Sequence, residues 1–146
     1  MLNRLQVRNY VLIDSLEIDF PEGLIIITGQ TGAGKSILLG ALSLVMGAKA
    51  DAGMISDGAD NCVVEAEFEM DPSDVQLRAE LEENDVEWDN GHLIVRRVIN
   101  QSGRSRAFVN DSPVSVQILQ GISSRLIDIH SQHQTKEESD VANEYL

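Results

Sequence analysis

A single cysteine, Cys62, leaves the chain with no internal disulfide framework and no multi-cysteine zinc site, and Cys62 itself is expected to pack within a strand. Basic residues are scarce too: 11 Lys plus Arg stand against 24 Asp plus Glu, a formal net charge of −13. That balance argues against gripping a nucleic-acid backbone over the whole surface and allows only a local basic patch. No apolar run approaches the ~20 residues of a membrane span, and the start lacks the charged-then-apolar layout of a signal peptide. A cytoplasmic location with no membrane partner is therefore expected. At 146 residues the chain is the size of one ordinary domain with room for a sizeable core.

What is present is Gly29-Gln30-Thr31-Gly32-Ala33-Gly34-Lys35-Ser36, which satisfies G-x-x-x-x-G-K-[ST], the Walker A phosphate-binding loop. Before it, Leu24-Ile25-Ile26-Ile27-Thr28 is an unbroken apolar run, as expected of a strand buried on both faces of a parallel or mixed sheet. After it, Ile37 to Met46 carries Leu38, Leu39, Leu42, Leu44 and Val45, lacks proline, and reaches Gly47 as a C-cap, which predicts a buried helix. Glycines at 29, 32 and 34 let backbone N–H groups approach phosphate oxygens, and the helix N-terminus adds partial positive charge. In this pattern Lys35 reaches the β- and γ-phosphates of a triphosphate, and the Ser36 hydroxyl is one ligand of the bridging Mg²⁺.

Two half-buried strands are predicted ahead of the loop, from the alternation at Leu5 and Val7 and then at Leu16, Ile18 and Phe20, with Pro21-Glu22-Gly23 as the turn that follows. ABC-type ATPase heads have such a leading antiparallel portion, whereas many small P-loop kinases and GTPases start from a single strand. Ala48 to Asn61 reads as a loop without firm structure. Cys62 to Met70 alternates as a one-sided strand, with Glu65, Glu67 and Glu69 read as a solvated face rather than a metal-binding row. Asp71 as N-cap, Pro72 at N1 and Asp74 at N3 predict a short helix through Leu77 and Leu81, ended by Asn84-Asp85.

Leu93 to Ile99 and Arg104 to Val109 flank Asn100-Gln101-Ser102-Gly103 as a hairpin, on which Arg96, Arg97, Arg104 and Arg106 form the dense basic cluster of an acidic chain. Either this cluster contacts phosphate, nucleic acid or an acidic partner, or it keeps an edge hairpin soluble. Ser112-Pro113 or Ser115 is expected to open another helix toward Gly121, and Arg125-Leu126-Ile127-Asp128-Ile129 reads as a further apolar strand. Ending in Asp128, that strand looks like a Walker B element, but Ile129 stands where an ABC-type ATPase has its catalytic Glu. His130 and His133 are not read as a zinc pair, having no third ligand nearby. Gln132, just past the strand end, suits contact with Mg²⁺ and attacking water, as in the Q-loop of ABC ATPases.

Together the Leu5-to-Phe20 strand pair, Ile27 through Leu38, Gly103-Arg104-Ser105-Arg106-Ala107-Phe108-Val109-Asn110 and Leu126-Ile127-Asp128-Ile129-His130-Ser131-Gln132-His133 resemble the RecN family of bacterial SMC-like DNA repair ATPases. The resemblance implies an α/β P-loop NTPase fold, the N-terminal lobe of an ABC/SMC-type head, with a leading antiparallel portion and a mixed sheet around the P-loop helix. It implies a nucleotide site at Gly29 through Ser36 and Ile37, with Lys35 and Gln132 as catalytic residues and Ser36 and Gln132 at the metal. It further implies ATP and Mg²⁺ as cofactors, head dimerisation around two nucleotides, a coiled-coil arm, and action of the complete protein on DNA double-strand breaks.

There are departures. Where many SMC-type heads place a basic residue after the aromatic of the first strand pair, this chain has Val11-Leu12 after Tyr10. The signature motif, Walker B Asp-Glu and switch His, which in this family follow the coiled coil, are not in this sequence. The expected organisation is thus an N-terminal lobe over residues 1–135 and a charged tail over 136–146 that starts the arm or is a junction. Such a lobe depends on a C-terminal lobe of the same protein for turnover. Two other readings are a self-sufficient P-loop kinase or GTPase using Asp128 as its Walker B carboxylate, and a non-catalytic DNA- or partner-binding module using Arg104 and Arg106.

Overall fold

Period-two alternation in the strands builds a sheet with one dry and one wet face. The computed structural model describes the backbone of residues 1–20 and 32–128 and the side chains of residues 1–20 and 36–126. Its strands are β1 (Leu2–Tyr10), β2 (Ile13–Asp19), β3 (Asn61–Glu69), β4 (His92–Asn100), β5 (Ser105–Val109) and β6 (Ser112–Val114). They form one six-stranded sheet in the order β2-β1-β3-β4-β5-β6, and every pairing among the described residues is antiparallel. The predicted strand 24–28, which would supply parallel pairing, lies outside the described residues.

Among the described residues three α-helices, α1 (Gly32–Val45), α2 (Val75–Glu83) and α3 (Val116–Ser123), accompany the sheet. Leu38, Ala41, Leu42 and Val45 of α1 recur at helical spacing and are buried with Leu5, Val7, Cys62, Val64, Ala66 and Val95 of the sheet. Leu119 and Ile122 of α3 and Leu77 and Leu81 of α2 complete the same core. As expected, Cys62 is fully buried, and burial pushes its thiol up to about 11.

Four local expectations are corrected or, where two helix starts stood open, decided. The 48–61 segment is ordered by contacts with distant chain: a 3₁₀ turn at Ala52–Met54 is followed by a bridge from Ile55 to Tyr10, and Ser56 Oγ donates to the Val11 carbonyl at 2.7 Å. The N-cap of α2 is Asp74, whose carboxylate accepts from Leu77 N at 3.0 Å, while Asp71 accepts from Ser73 N and Oγ in the turn before it. Pro113 sits in the edge strand β6, where its missing N–H costs no ladder bond, and Ser115 caps α3.

The fourth correction concerns the Walker-B-like run: Ser124–Asp128 is a π-helical turn continuing α3, not a strand. No Gly or Pro breaks the helix there, and Ser124 keeps right-handed helical angles. Arg125 Nε lies 2.6 Å from Glu80 Oε2 of α2, and Leu126 is buried, which holds the extra turn against the core. A short apolar run does not by its periodicity distinguish strand from buried helix.

Candidate functional site

Helix α1 begins at Gly32, inside the glycine-rich motif, so the unpaired N–H groups of its first turn fall on Gly32 through Lys35. That turn carries no acidic side chain, leaving the positive end of the helix uncompensated by its own residues. Ser36 is exposed, Ile37 half-buried and Leu38 buried, so the apolar stripe of the helix meets the core from Leu38 onward. An exposed hydroxyl one turn into a helix that begins within the glycine-rich motif and has no acid in its first turn fits the chemistry of a phosphate-bridging Mg²⁺. Gly29, Gln30 and Thr31, the side chains of Ala33 and Lys35, and Gln132 with His130 and His133 lie outside the described residues, as does the Asp128 side chain.

The opposite end of α1 is capped by its neighbours. Gly47, at φ +97°, closes a Schellman turn in which Gly47 N donates to Leu44 O at 3.1 Å and Ala48 N to Ser43 O at 3.0 Å. From β4, the Arg97 guanidinium donates through Nη1 to Leu44 O and Ala48 O, both at 2.7 Å, and through Nη2 to Ser105 Oγ at 2.9 Å. From α3, Ser123 Oγ donates to Val45 O at 2.9 Å and Gln120 Nε2 to Gly47 O at 2.9 Å. The last turn of α1 has no basic residue of its own; the sheet supplies the cation that the negative end of the helix favours.

Arg97 is only 2% exposed and forms no ion pair among the described residues. Burial lowers its guanidinium pKa, yet arginine stays protonated in proteins, so the carbonyls carry the solvation of a buried charge. This overturns the four-arginine cluster expected on the hairpin. Arg96 and Arg97 point to opposite faces, and Arg96 stacks over the Phe108 ring at 4.7 Å while pairing with Asp111 at 3.3 Å and Glu65 at 3.8 Å. Arg104 and Arg106 are exposed. The signal for Arg97 was its parity with Leu93, Val95 and Ile99, all buried; Ser105, Gln120 and Ser123 carried no such signal.

A second contact fixes α1 laterally. Tyr10, at the end of β1, lies against Gly40 so closely that a Cβ there would stand 2.5 Å from the phenolic oxygen. Burial raises the Tyr10 pKa and keeps its hydroxyl protonated. On the wet face of the sheet, Glu65 and Glu67 are half-buried and Glu69 exposed; His92 Nδ1 lies 2.6 Å from Glu69 Oε1, and ligand atoms of Glu67, Glu69 and His92 fall within 4.8 Å of one another.

A family model described as an AAA domain matches residues 4–143. The DNA repair protein RecN of Vibrio cholerae serotype O1 is 40% identical over 133 residues, 91% of this chain and 24% of that protein. RecN of Haemophilus influenzae is 36% identical over 134 residues, again 91% of this chain and 24% of the relative. The chain thus spans about a quarter of the length of the curated relatives it matches. Among solved structures, an SMC ATPase head from a study of ATP-driven dimerization and DNA-stimulated activation superposes at TM-score 0.60 with 20% identity, covering 83% of this chain and 76% of that one. The SMC head domain of Thermotoga maritima superposes at 0.54 with 20% identity, covering 82% and 41%. RecF bound to an ATP analogue superposes at 0.55 with 17% identity, covering 82% and 29%. The chain therefore has the fold of the P-loop heads of SMC and RecF proteins, is similar in sequence to RecN, and belongs to the AAA domain family.

Proposed function

We propose that this chain is the N-terminal lobe of an ATPase head that binds Mg-ATP at Gly29 through Ile37 and, with a C-terminal lobe of the same protein, hydrolyses it to drive head pairing in DNA double-strand break repair. One observation carries the reading: α1 starts within the phosphate-loop motif, acid-free at that end, while its other end is tied to β4 and α3. A helix so anchored presents its N–H groups to a polyphosphate without having to reorganise. Lys35 would neutralise the β- and γ-phosphates, and Ser36 and Gln132 would hold Mg²⁺, which supplies electrostatic stabilisation of the transferring phosphoryl group. Sequence similarity to RecN across 91% of the chain supports the repair role, the coiled-coil continuation and the cytoplasmic setting.

The test is Mg-ATP titration of the 146-residue chain against its Lys35→Ala variant, then the same pair with a RecN C-terminal lobe added. Saturable binding that Lys35→Ala abolishes, with turnover gained only when the lobe is supplied, is the expected result. Equal ATP binding by both proteins would sink the site. Turnover by the chain alone would favour a self-sufficient kinase or GTPase, against which stands the π-helical backbone at Asp128 where that reading needs a Walker B strand.

A further inference from the structure

Arg97 stands in an apolar layer. Its cross-strand neighbours on the dry face of the sheet are Val64 on β3 and Ala107 on β5, both buried, and buried Val95 and Ile99 flank it along β4. No carboxylate pairs with it among the described residues, and its Nε is buried there without an acceptor. Stability alone does not select such a residue, because an apolar side chain of similar volume in place of a buried charge is often neutral or better. What the guanidinium reaches is one end of one helix: Leu44 O belongs to the last turn of α1 and Ala48 O to the turn that closes it. Those carbonyls form the negative pole of α1. Its positive pole is the acid-free first turn at Gly32, inside the phosphate-loop motif, and 14 helical residues place the two poles about 21 Å apart.

We propose that Arg97 is a positioning residue for the polyphosphate of the nucleotide, acting on it through α1 from the far end of the helix. The inference rests on the reading that Mg-ATP binds at Gly29 through Ile37. Two effects run in the same direction. The fork of the guanidinium ties the closing turn of α1 to β4 and, through Ser105 Oγ, to β5, so the N–H groups of the first turn keep their place when an anion arrives. The second effect is charge. A cation at the negative pole offsets the field that the terminal carbonyls send along the helix toward an anion at the other pole, and a protein interior screens that field far less than water does. Fixation serves every nucleotide alike, whereas charge matters more with each added phosphate. Ser123 and Gln120 donate neutral bonds to Val45 O and Gly47 O and contribute fixation only. Among the described side chains that donate to this end of α1, Arg97 is the one that carries a charge.

The test is calorimetric titration of the 146-residue chain with Mg-ATP, Mg-ADP and AMP, for wild type, Arg97→Met, Arg97→Lys and Ser123→Ala, each shown to be folded by circular dichroism. Arg97→Met keeps the volume and removes the charge; it should weaken ATP about tenfold, ADP less and AMP least. Arg97→Lys keeps the charge without the fork, so it should return the ATP-to-ADP affinity ratio to the wild-type value while leaving every nucleotide weaker than in wild type. Ser123→Ala should leave the ratio unchanged. A smaller folded fraction scales all the affinities together, so the ratio is a readout that lost stability does not move. If Arg97→Met does not fold, Arg97→Gln, neutral but still an amide donor, carries the same expectation. Equal weakening of all the nucleotides by the neutral variant would reduce Arg97 to a structural tie and overturn the proposal, as would wild-type affinities in that variant. Lys35→Ala keeps the two readings apart: Lys35-dependent ATP binding with an unchanged ratio in the neutral variant sinks this inference alone, and ATP binding indifferent to Lys35→Ala sinks the phosphate loop and this inference with it.

Discussion

The Arg97 guanidinium donates from Nη1 to the Leu44 carbonyl at 2.7 Å, joining a central strand of the sheet to the last turn of the helix that opens in the phosphate-loop motif. The contact pairs a buried cation with the negative end of a helix instead of with a carboxylate. Arg97→Ala strips donors from Leu44, Ala48 and Ser105 and leaves a cavity; a loss of about 3–5 kcal/mol is expected in urea unfolding. Arg97→Lys should recover only part of it, because a point charge cannot reach three acceptors in a fixed fork. An Arg97→Ala midpoint equal to wild type would show that the carbonyls do not need the guanidinium.

Gly40 and Tyr10 should behave as a coupled pair. In the native chain Gly40→Ala drives a methyl to 2.5 Å from the Tyr10 hydroxyl, so it should destabilise despite the helix preference for alanine. Once Tyr10→Phe removes that oxygen, the nearest ring atom is at 3.6 Å, an ordinary contact, and the same Gly40→Ala should stabilise by about 1 kcal/mol. A double-mutant cycle that is additive would contradict the packing.

Val11 occupies the turn between β1 and β2 at φ +52°, a conformation that costs a β-branched residue about 1–2 kcal/mol. Ser56 holds it there through its 2.7 Å bond to the Val11 carbonyl, assisted by Val11 N donating to Met54 O at 2.9 Å. Val11→Asn, which tolerates positive φ and loses little burial at a partly exposed site, should raise stability by about 1 kcal/mol. Ser56→Ala should lower it by about 1 kcal/mol. Thermal melts of the two variants shifting in the same direction would contradict this account.

His92 gives stability a pH dependence of known sign. Its pKa is raised above the ordinary 6.5, first by the hydrogen bond to Glu69. A group whose folded pKa is raised contributes fully below its unfolded value and loses that contribution as pH climbs through the folded one. Stability should therefore decline as pH rises past 6.5 through the folded value of His92, and Glu69→Gln should remove that decline. NMR titration of the His92 ring checks it; an unshifted midpoint in Glu69→Gln would count against the pairing.

Much of the sheet was legible because alternation is a local signal. Cys62 to Phe68 and Leu93 to Ile99 show their buried sides at every second residue, and a one-residue slip would turn each side outward. The glycine-lysine-serine motif stands out in the sequence for a different reason, that phosphate chemistry demands those residue types at that spacing; of its backbone the structure describes Gly32 onward, as the start of α1. Ser124–Asp128 was not, because a short apolar run serves strand and helix equally, and only the Arg125–Glu80 contact and burial of Leu126 decide between them.

The amino-acid order by itself determined where the phosphate-loop motif falls, which residues could line a core, and that positive charge would be local. Tertiary structure alone decided which arginines are available. Arg96 and Arg97 are chain neighbours of identical chemistry, but the pleat sends one to a ring and two carboxylates in solvent and the other to the end of a helix 53 residues earlier in the chain. Arg8 and Arg106, far apart in the chain, meet in one row because β3 and β4 pair between them. The destination of a charge depends on what long-range pairing brings to it, and no window of sequence contains that.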